Sequence, residues 1–410
     1  MLNHFQSNRR EFLKQTVGGS LALGLGCSAP RLFTQAALAA EQAGGERVLV
    51  VVQLTGGNDG LNTVVPYTDD EYRRQRPKLA IPTDRVLKLN DQLGLHPAAR
   101  GLADLWEDNK LAIVQGVGYP QPNRSHFESM DIWHSCHRKE SPRADGWIGR
   151  YLEQAGPDRS DAPAVHLGQG KQPLALAARD VRVPSIASLE RFRLQAADSN
   201  IRSAIADLAA AEPPGDDELL GFLQSSTAAA ISASERVEQA RRGYETPIAY
   251  PENALAEKLR TVAQLIDAGL QTRVYYVELD GFDTHAQQPD AHTALLGQFA
   301  DSTLAFLRDI EHHGHGDRVL VVSFSEFGRR VAENASDGTD HGAAGPMLLA
   351  GRHVHPGTIG PHPSLTDLQD GDLKHAIDFR QVYAAILESW LRCPSETVLG
   401  GKYEPVPAVA

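Results

Sequence analysis

Four stretches of the chain are apolar almost without interruption and rich in β-branched residues: "RVLVVVQL" (47–54), "KLAIVQGV" (110–117), "RVYYVEL" (273–279) and "RVLVVSF" (318–324). Continuous runs of this length suit strands buried on both faces, because a strand with one wet face alternates apolar and polar positions. In "HPAARGLADLWEDN" (96–109) and "HTALLGQFADSTLAFLRDIEHH" (292–313) the apolar residues recur at helical spacing instead. Helices interleaved with buried strands predict an α/β fold: a doubly wound, mostly parallel sheet with helices on both faces. Between about 190 and 270 the composition shifts to Ala, Glu and Ser with Leu at helical intervals, broken by "EPPGDD" and "ETPIAYP". That stretch reads as a helical cap inserted into the α/β domain.

The N-terminus departs from this pattern. Arg9 and Arg10 precede Phe12, Leu13 and Lys14, and a short glycine-diluted apolar run, "TVGGSLALGLGCSA", follows. The run falls short of the roughly 20 apolar residues that cross a bilayer. The segment resembles a twin-arginine export signal, with cleavage expected after Ala39, so residues 1–39 are set apart from the α/β domain at 40–410. The expected location is periplasmic or otherwise extracytoplasmic, and no other segment is apolar enough to span a membrane.

Charge then narrows the partners. The full chain carries a net charge of −12, and without residues 1–39 it has 36 basic against 51 acidic residues. An acidic surface of this kind argues against nucleic acid or anionic lipid as a partner. Outside the first 39 residues the cysteines are Cys136 and Cys393, enough for one bridge but not for a disulfide framework.

The chemistry-bearing residues fall directly after the expected strands. The first strand leads into "TGGNDGLNT" with Asp59, and the second into "GYPQPNRSHFESMDIW", where Ser125 and His126 stand at the start of a helix. The third leads into "DGFDTH" with Asp283 and His285; the fourth brings Glu326 and Arg329 and then "SDGTDHGAAGP" with Asp340 and His341. Open α/β sheets collect their chemistry at the carboxyl ends of strands, and carboxylate with imidazole is a metal-ligating combination. Taken singly, each residue also has an ordinary structural role. Asp59 can stabilise its turn, Ser125 can cap its helix, Asp283 and His285 can sit in a solvated loop, and Arg329 can pair with Glu326.

Six segments in order, "LTGGNDGLNT", "NRSHFESMDIW", "DGFDTH", "SEFGRR", "TDHGAAGPMLLAG" and "DFRQVYAAIL", strongly resemble the DUF1501 proteins, exported bacterial members of the alkaline phosphatase and sulfatase superfamily. The resemblance runs from about 47 to about 395. It implies an alkaline phosphatase-like fold and one or two divalent metal ions, usually zinc. Asp59, Asp283, His285, Asp340 and His341 would be the ligands and Ser125 the nucleophile; Arg329 is a candidate to bind the substrate anion or, equally, to pair with Glu326 as structure. The implied activity is hydrolysis of a small anionic phosphate or sulfate ester. The superfamily places three residues between its later Asp and His where this chain has one, and it expects a further downstream histidine for which His353, His355, His362 and His375 compete. The alternative is a catalytically silent member that binds a glycan, a lipid head group or a protein at the cell envelope.

Overall fold

The fold was obtained as a computed structural model, which describes residues 46–141, 143–155, 162–168, 170–186 and 243–410. The export-signal segment and most of the expected cap lie outside the described residues. All four apolar runs form strands: β1 (Val48–Thr55), β2 (Leu111–Gly118), β4 (Val274–Asp280) and β5 (Val319–Phe324). They are joined by β3 (Ala164–Leu167), β6 (Gly345–Ala350), β7 (Gly357–Ile359) and β8 (Ile377–Asp378). The eight-stranded sheet runs β7-β2-β6-β5-β1-β4-β3, with β8 also pairing with β2. Only β6 is antiparallel to its neighbours, so the expected mostly parallel sheet is what forms. Val51 in the central strand stands opposite both Tyr276 and Val322.

Alternate residues of β1 explain why its sequence shows no alternation. Val48, Val50 and Val52 join one apolar core, while Leu49 and Val51 join the other. The first core is closed by α1 (Arg100–Glu107), α4 (Ala254–Asp267) and α5 (Gln288–His312). The second is closed by α2 (His126–Ser135), α3 (Trp147–Gln154) and α6 (Phe379–Ala385). Helices therefore cover both faces, as a doubly wound sheet requires.

Part of the stretch assigned to a cap belongs to the main layer. Leu255, Leu259, Val262, Leu265 and Ile266 of α4 are buried in the first core, because α4 leads straight into β4 and packs beside α5. Its Leu spacing marks a sheet-covering face. Cys136 and Cys393 are both buried and unbridged.

After β1 the chain makes an excursion over residues 60–95 with a small sheet of two-residue strands and its own apolar cluster of Leu61, Val65, Tyr67, Tyr72 and Val86. Its helix Asp70–Gln75, capped by Asp69, ends at Arg76. Among the described residues, no helix is long and apolar enough to cross a membrane.

Candidate metal centre

Because β1, β2, β4 and β5 all point the same way, the segments that follow them meet at one edge of the sheet. Gly56, just past β1, has φ +119, and a Cβ there would lie 2.3 Å from the backbone nitrogen of Asp283. Glycine is what lets these two loops touch. Glu326, just past β5, is fully buried and accepts the Gly56 N–H through Oε1 at 2.8 Å.

His126, Asp283 and His341 converge there, each offering one ligand atom within 4.8 Å of the others. His341 Nε2 lies 2.9 Å from Asp283 Oδ1, and His126 Nε2 lies 3.3 Å from Asp283 Oδ2. His285 stands beside them, its Nε2 at 2.9 Å from His341 Nε2 and 3.1 Å from Asp283 Oδ1.

The outer nitrogen of each ring is engaged by an acceptor. His126 Nδ1 donates to Glu326 Oε1 at 2.8 Å, His341 Nδ1 to the Arg124 carbonyl at 2.8 Å, and His285 Nδ1 to Asp340 Oδ1 at 3.3 Å. With Nδ1 of each ring turned to an acceptor, Nε2 is turned toward the Asp283 carboxylate, where it can carry a proton or ligate a cation in the proton's place. Converging lone pairs repel unless a proton or a cation lies among them. Two or three imidazoles, one carboxylate and outer acceptors that fix the tautomers are the donor set and surroundings of a divalent transition-metal site, zinc included. The residues present fit the implied metal.

Electrostatics point the same way. Burial pushes the Asp283 carboxyl up, but hydrogen bonds from His341 and Arg329 and the Arg329 charge outweigh it and hold it at about 2. The hydrogen bond to Glu326 raises the His126 pKa against the opposing effect of burial. Asp340 is lowered, first by its hydrogen bond from Asn334, with burial opposing and His285 assisting.

The expected residues are thus sorted by the fold. Asp283, His285, Asp340 and His341 come together, with Asp340 exposed and backing His285 rather than facing Asp283. Ser125 is the N-cap residue of α2, exposed, and its hydroxyl makes no capping hydrogen bond. It directly precedes His126, and its Oγ has no capping partner.

Two expectations need correction. Asp59 is fully buried in an ion pair with Arg76, Oδ2 to Nη1 at 2.6 Å, and also accepts from Gln288 Nε2 at 2.5 Å. It does not face the His126–Asp283–His341 group because the excursion after β1 inserts Arg76 against it. Arg329, expected to meet a substrate anion or pair with Glu326, is 1% exposed. It donates to the carbonyls of Gly56, Gly57, Phe282 and Thr339 and to Asp283 Oδ1 at 2.8 Å. Arg329 is therefore a positioning residue that fixes Asp283 and the loops around it.

The missing histidine also comes from elsewhere. His353 lies beside Asp317 and Trp390, His355 bonds the Pro407 carbonyl, and His362 bonds Gln115. His375 lines an open groove of about 430 Å³ with Arg124, Asp372 and Lys374. None of the four joins the group; His126 does. Its adjacency to Ser125 at the mouth of a helix was the available signal.

A search of curated proteins gives no match. Solved structures that align with the chain include the PsFucS1 sulfatase from Pseudoalteromonas sp., at 10% identity over 89% of this chain and 70% of that one, with a TM-score of 0.37. Another is the C-terminal periplasmic domain of EcEptC from Escherichia coli, at 10% identity over 88% of each chain and a TM-score of 0.38. A third is a protein in the alkaline phosphatase superfamily from Vibrio parahaemolyticus, at 8% identity over 77% and 62% with a TM-score of 0.35. The sequence itself matches, over residues 46–394, the model of a family described as a protein of unknown function, DUF1501, and the chain belongs to that family.

Proposed function

We propose that the chain is a metal-dependent hydrolase that cleaves small phosphate or sulfate esters, with Ser125 as nucleophile. The observation that supports it is the convergence of His126, Asp283 and His341 on one point, with His126 directly following an exposed serine at the N-cap of a ten-residue helix. A divalent ion bound there supplies Lewis acidity toward an ester oxygen and lowers the pKa of a nearby hydroxyl.

The remaining roles belong to the chain. His126 and His341 present Nε2, held by Glu326 and by the Arg124 carbonyl. Asp283 presents its carboxylate, held by Arg329. Ser125 Oγ stands at the positive end of α2, where the first-turn N–H groups favour an anion. The groove lined by Arg124, Lys374 and His375 adjoins Ser125 and offers room for the organic part of an ester. The paired arginines at 9 and 10 support action outside the cytoplasm.

One observation favours the second reading, a catalytically silent binder of a glycan, lipid head group or protein: the buried Arg329 is not free to meet an anion. Elemental analysis of the purified chain before chelation, followed by assays of aryl phosphate and aryl sulfate turnover with zinc and with manganese, separates the two. Bound metal with turnover is the expected result. Metal without turnover of either ester class would favour the binder, and absence of metal would defeat the hydrolase reading.

A further inference from the structure

The superfamily resemblance implies up to two metal ions, with the aspartate after the first strand among the ligands. We infer that this site works with a single divalent ion, the guanidinium of Arg76 holding the place at Asp59 that a second ion would need. The inference rests on the hydrolase reading above and specifies it.

Asp59 and Arg76 have no exposed side-chain surface, and Arg76 Nη1 lies 2.6 Å from Asp59 Oδ2 and 2.8 Å from Asn62 Oδ1. Arg76 Nε donates to the Val331 carbonyl and Nη2 to the Arg330 carbonyl, both at 2.8 Å. A guanidinium keeps its proton in a protein, so this positive charge is permanent. A dication beside it would be repelled in surroundings that water does not screen.

The hydrogen bonds of Asp59 point the same way as the Arg76 charge. Gln288 takes a share of Asp59 Oδ2, which leaves only Oδ1 without a partner. A dication needs three or four protein ligands, and Arg76 already neutralises the carboxylate that would be the anionic one. Among the described residues, the one group of three or more metal-ligating side chains is His126, Asp283 and His341, and Asp59 is not in it.

The pair has a different task. Arg76 holds Arg330 and Val331, which lead toward the Asp340–His341 loop. Through Gln288, Asp59 reaches the start of α5, and Gln288 Oε1 accepts from the hydroxyls of Thr284 at 3.2 Å and Thr339 at 2.6 Å, each one residue from the centre's loop residues. Asp59 and Arg76 thus brace the loops that carry the metal ligands. Both are positioning residues.

The test is metal stoichiometry. The chelated protein is titrated with zinc by calorimetry, and bound metal is counted by elemental analysis in wild type, Asp283→Asn and the double variant Asp59→Asn with Arg76→Gln. The double variant is used because Asp59→Asn alone strands a buried guanidinium, and a melting curve confirms that it folds. One ion per chain is expected in wild type, and one in the double variant with affinity lowered by no more than about tenfold, the lower end of what outer-sphere changes cost. Asp283→Asn should lose the ion. Two ions per wild-type chain, or loss of bound metal in the folded double variant, would overturn the inference while leaving the hydrolase reading standing. No bound ion at all would overturn both.

Discussion

His126 and Glu326 are joined by a 2.8 Å hydrogen bond from Nδ1 to Oε1, and the same carboxylate oxygen accepts the backbone N–H of Gly56. A single buried side chain therefore sets the tautomer of one candidate ligand and ties down the loop after β1. Glu326 Oε2 also accepts from the Ser325 hydroxyl at 3.2 Å, and the Glu326 carbonyl accepts from Ser129 at 2.5 Å, one turn into α2. The first turn of α2 is held against the sheet edge by these contacts.

Removing only the charge from that carboxylate is the sharpest probe of it. Glu326→Gln keeps one oxygen in the place that accepts both N–H donors but withdraws the negative charge that makes the His126 ring a better donor to metal. Outer-sphere partners of ligating histidines are worth about 10- to 100-fold in metal affinity, and the lower half of that range is expected here. Zinc titration of the chelated variant checks it, and unchanged affinity would show that His126 is not a ligand.

The two aspartates of the centre should separate in the same assay. Asp283 faces both histidines and is fixed by Arg329, whereas Asp340 accepts from His285 and Asn334 and is exposed. Asp283→Ala should abolish metal binding and lower the melting temperature of the metal-treated protein, because a ligand that binds only the folded state stabilises it. Asp340→Ala should weaken binding without abolishing it. Equal loss in both variants would make Asp340 a ligand in its own right.

These two residues also mark how far the sequence could be read. The strands were legible because burial on both faces leaves an uninterrupted apolar run, and the position of Asp283, Asp340 and His341 followed from where those runs stop. The adjacent "DH" pair nevertheless splits, His341 turning Nε2 to Asp283 while Asp340 backs His285, a division that no sequence pattern signals. Asp59 misled because its partner Arg76 belongs to an excursion of two-residue strands that leaves no periodic signal. Arg329 misled because a sequence shows the charge but not the carbonyls of Gly56, Gly57, Phe282 and Thr339 that surround it. β6 was missed as a strand because "GPMLLA" is short, begins with Gly-Pro and runs against its neighbours.

Three buried histidines away from the ligands predict how stability depends on pH. Burial lowers His96 and His292 to about 4 and His134 to about 3. In the unfolded chain the same side chains titrate near 6.5. Below that pH the unfolded state takes up protons that the folded state refuses, so stability falls as pH drops from about 6.5 toward 4, by about 1.4 kcal/mol per unit for each histidine. Urea unfolding of the chelated protein at pH 7, 6 and 5 should show this slope. His292→Gln, which keeps a donor for the Asn58 side chain, should make it shallower. An identical slope in the variant would remove His292 from the account.

Ser125 carries the decisive test of catalysis. Its backbone N–H donates to Asn123 Oδ1 at 2.8 Å and its carbonyl accepts from Ser129, but its hydroxyl has no capping partner. The ordinary structural role for a serine at a helix N-cap is therefore not the one it performs. Since capping hydrogen bonds account for roughly 1 kcal/mol where they exist, Ser125→Ala should cost less than about 0.5 kcal/mol of stability. The outer acceptors of His126 and His341 are untouched by the change, so bound metal should stay at the wild-type level. Turnover of aryl phosphate or aryl sulfate esters should fall to the background of the metal-loaded protein without a nucleophile. Thr63, a hydroxyl in the segment after β1, cannot substitute, because it is fully buried and donates to Asn58 Oδ1 and to the Asp59 carbonyl. Wild-type turnover by a folded, metal-loaded Ser125→Ala protein would therefore leave no hydroxyl of these two loops as nucleophile and would point to direct attack by water.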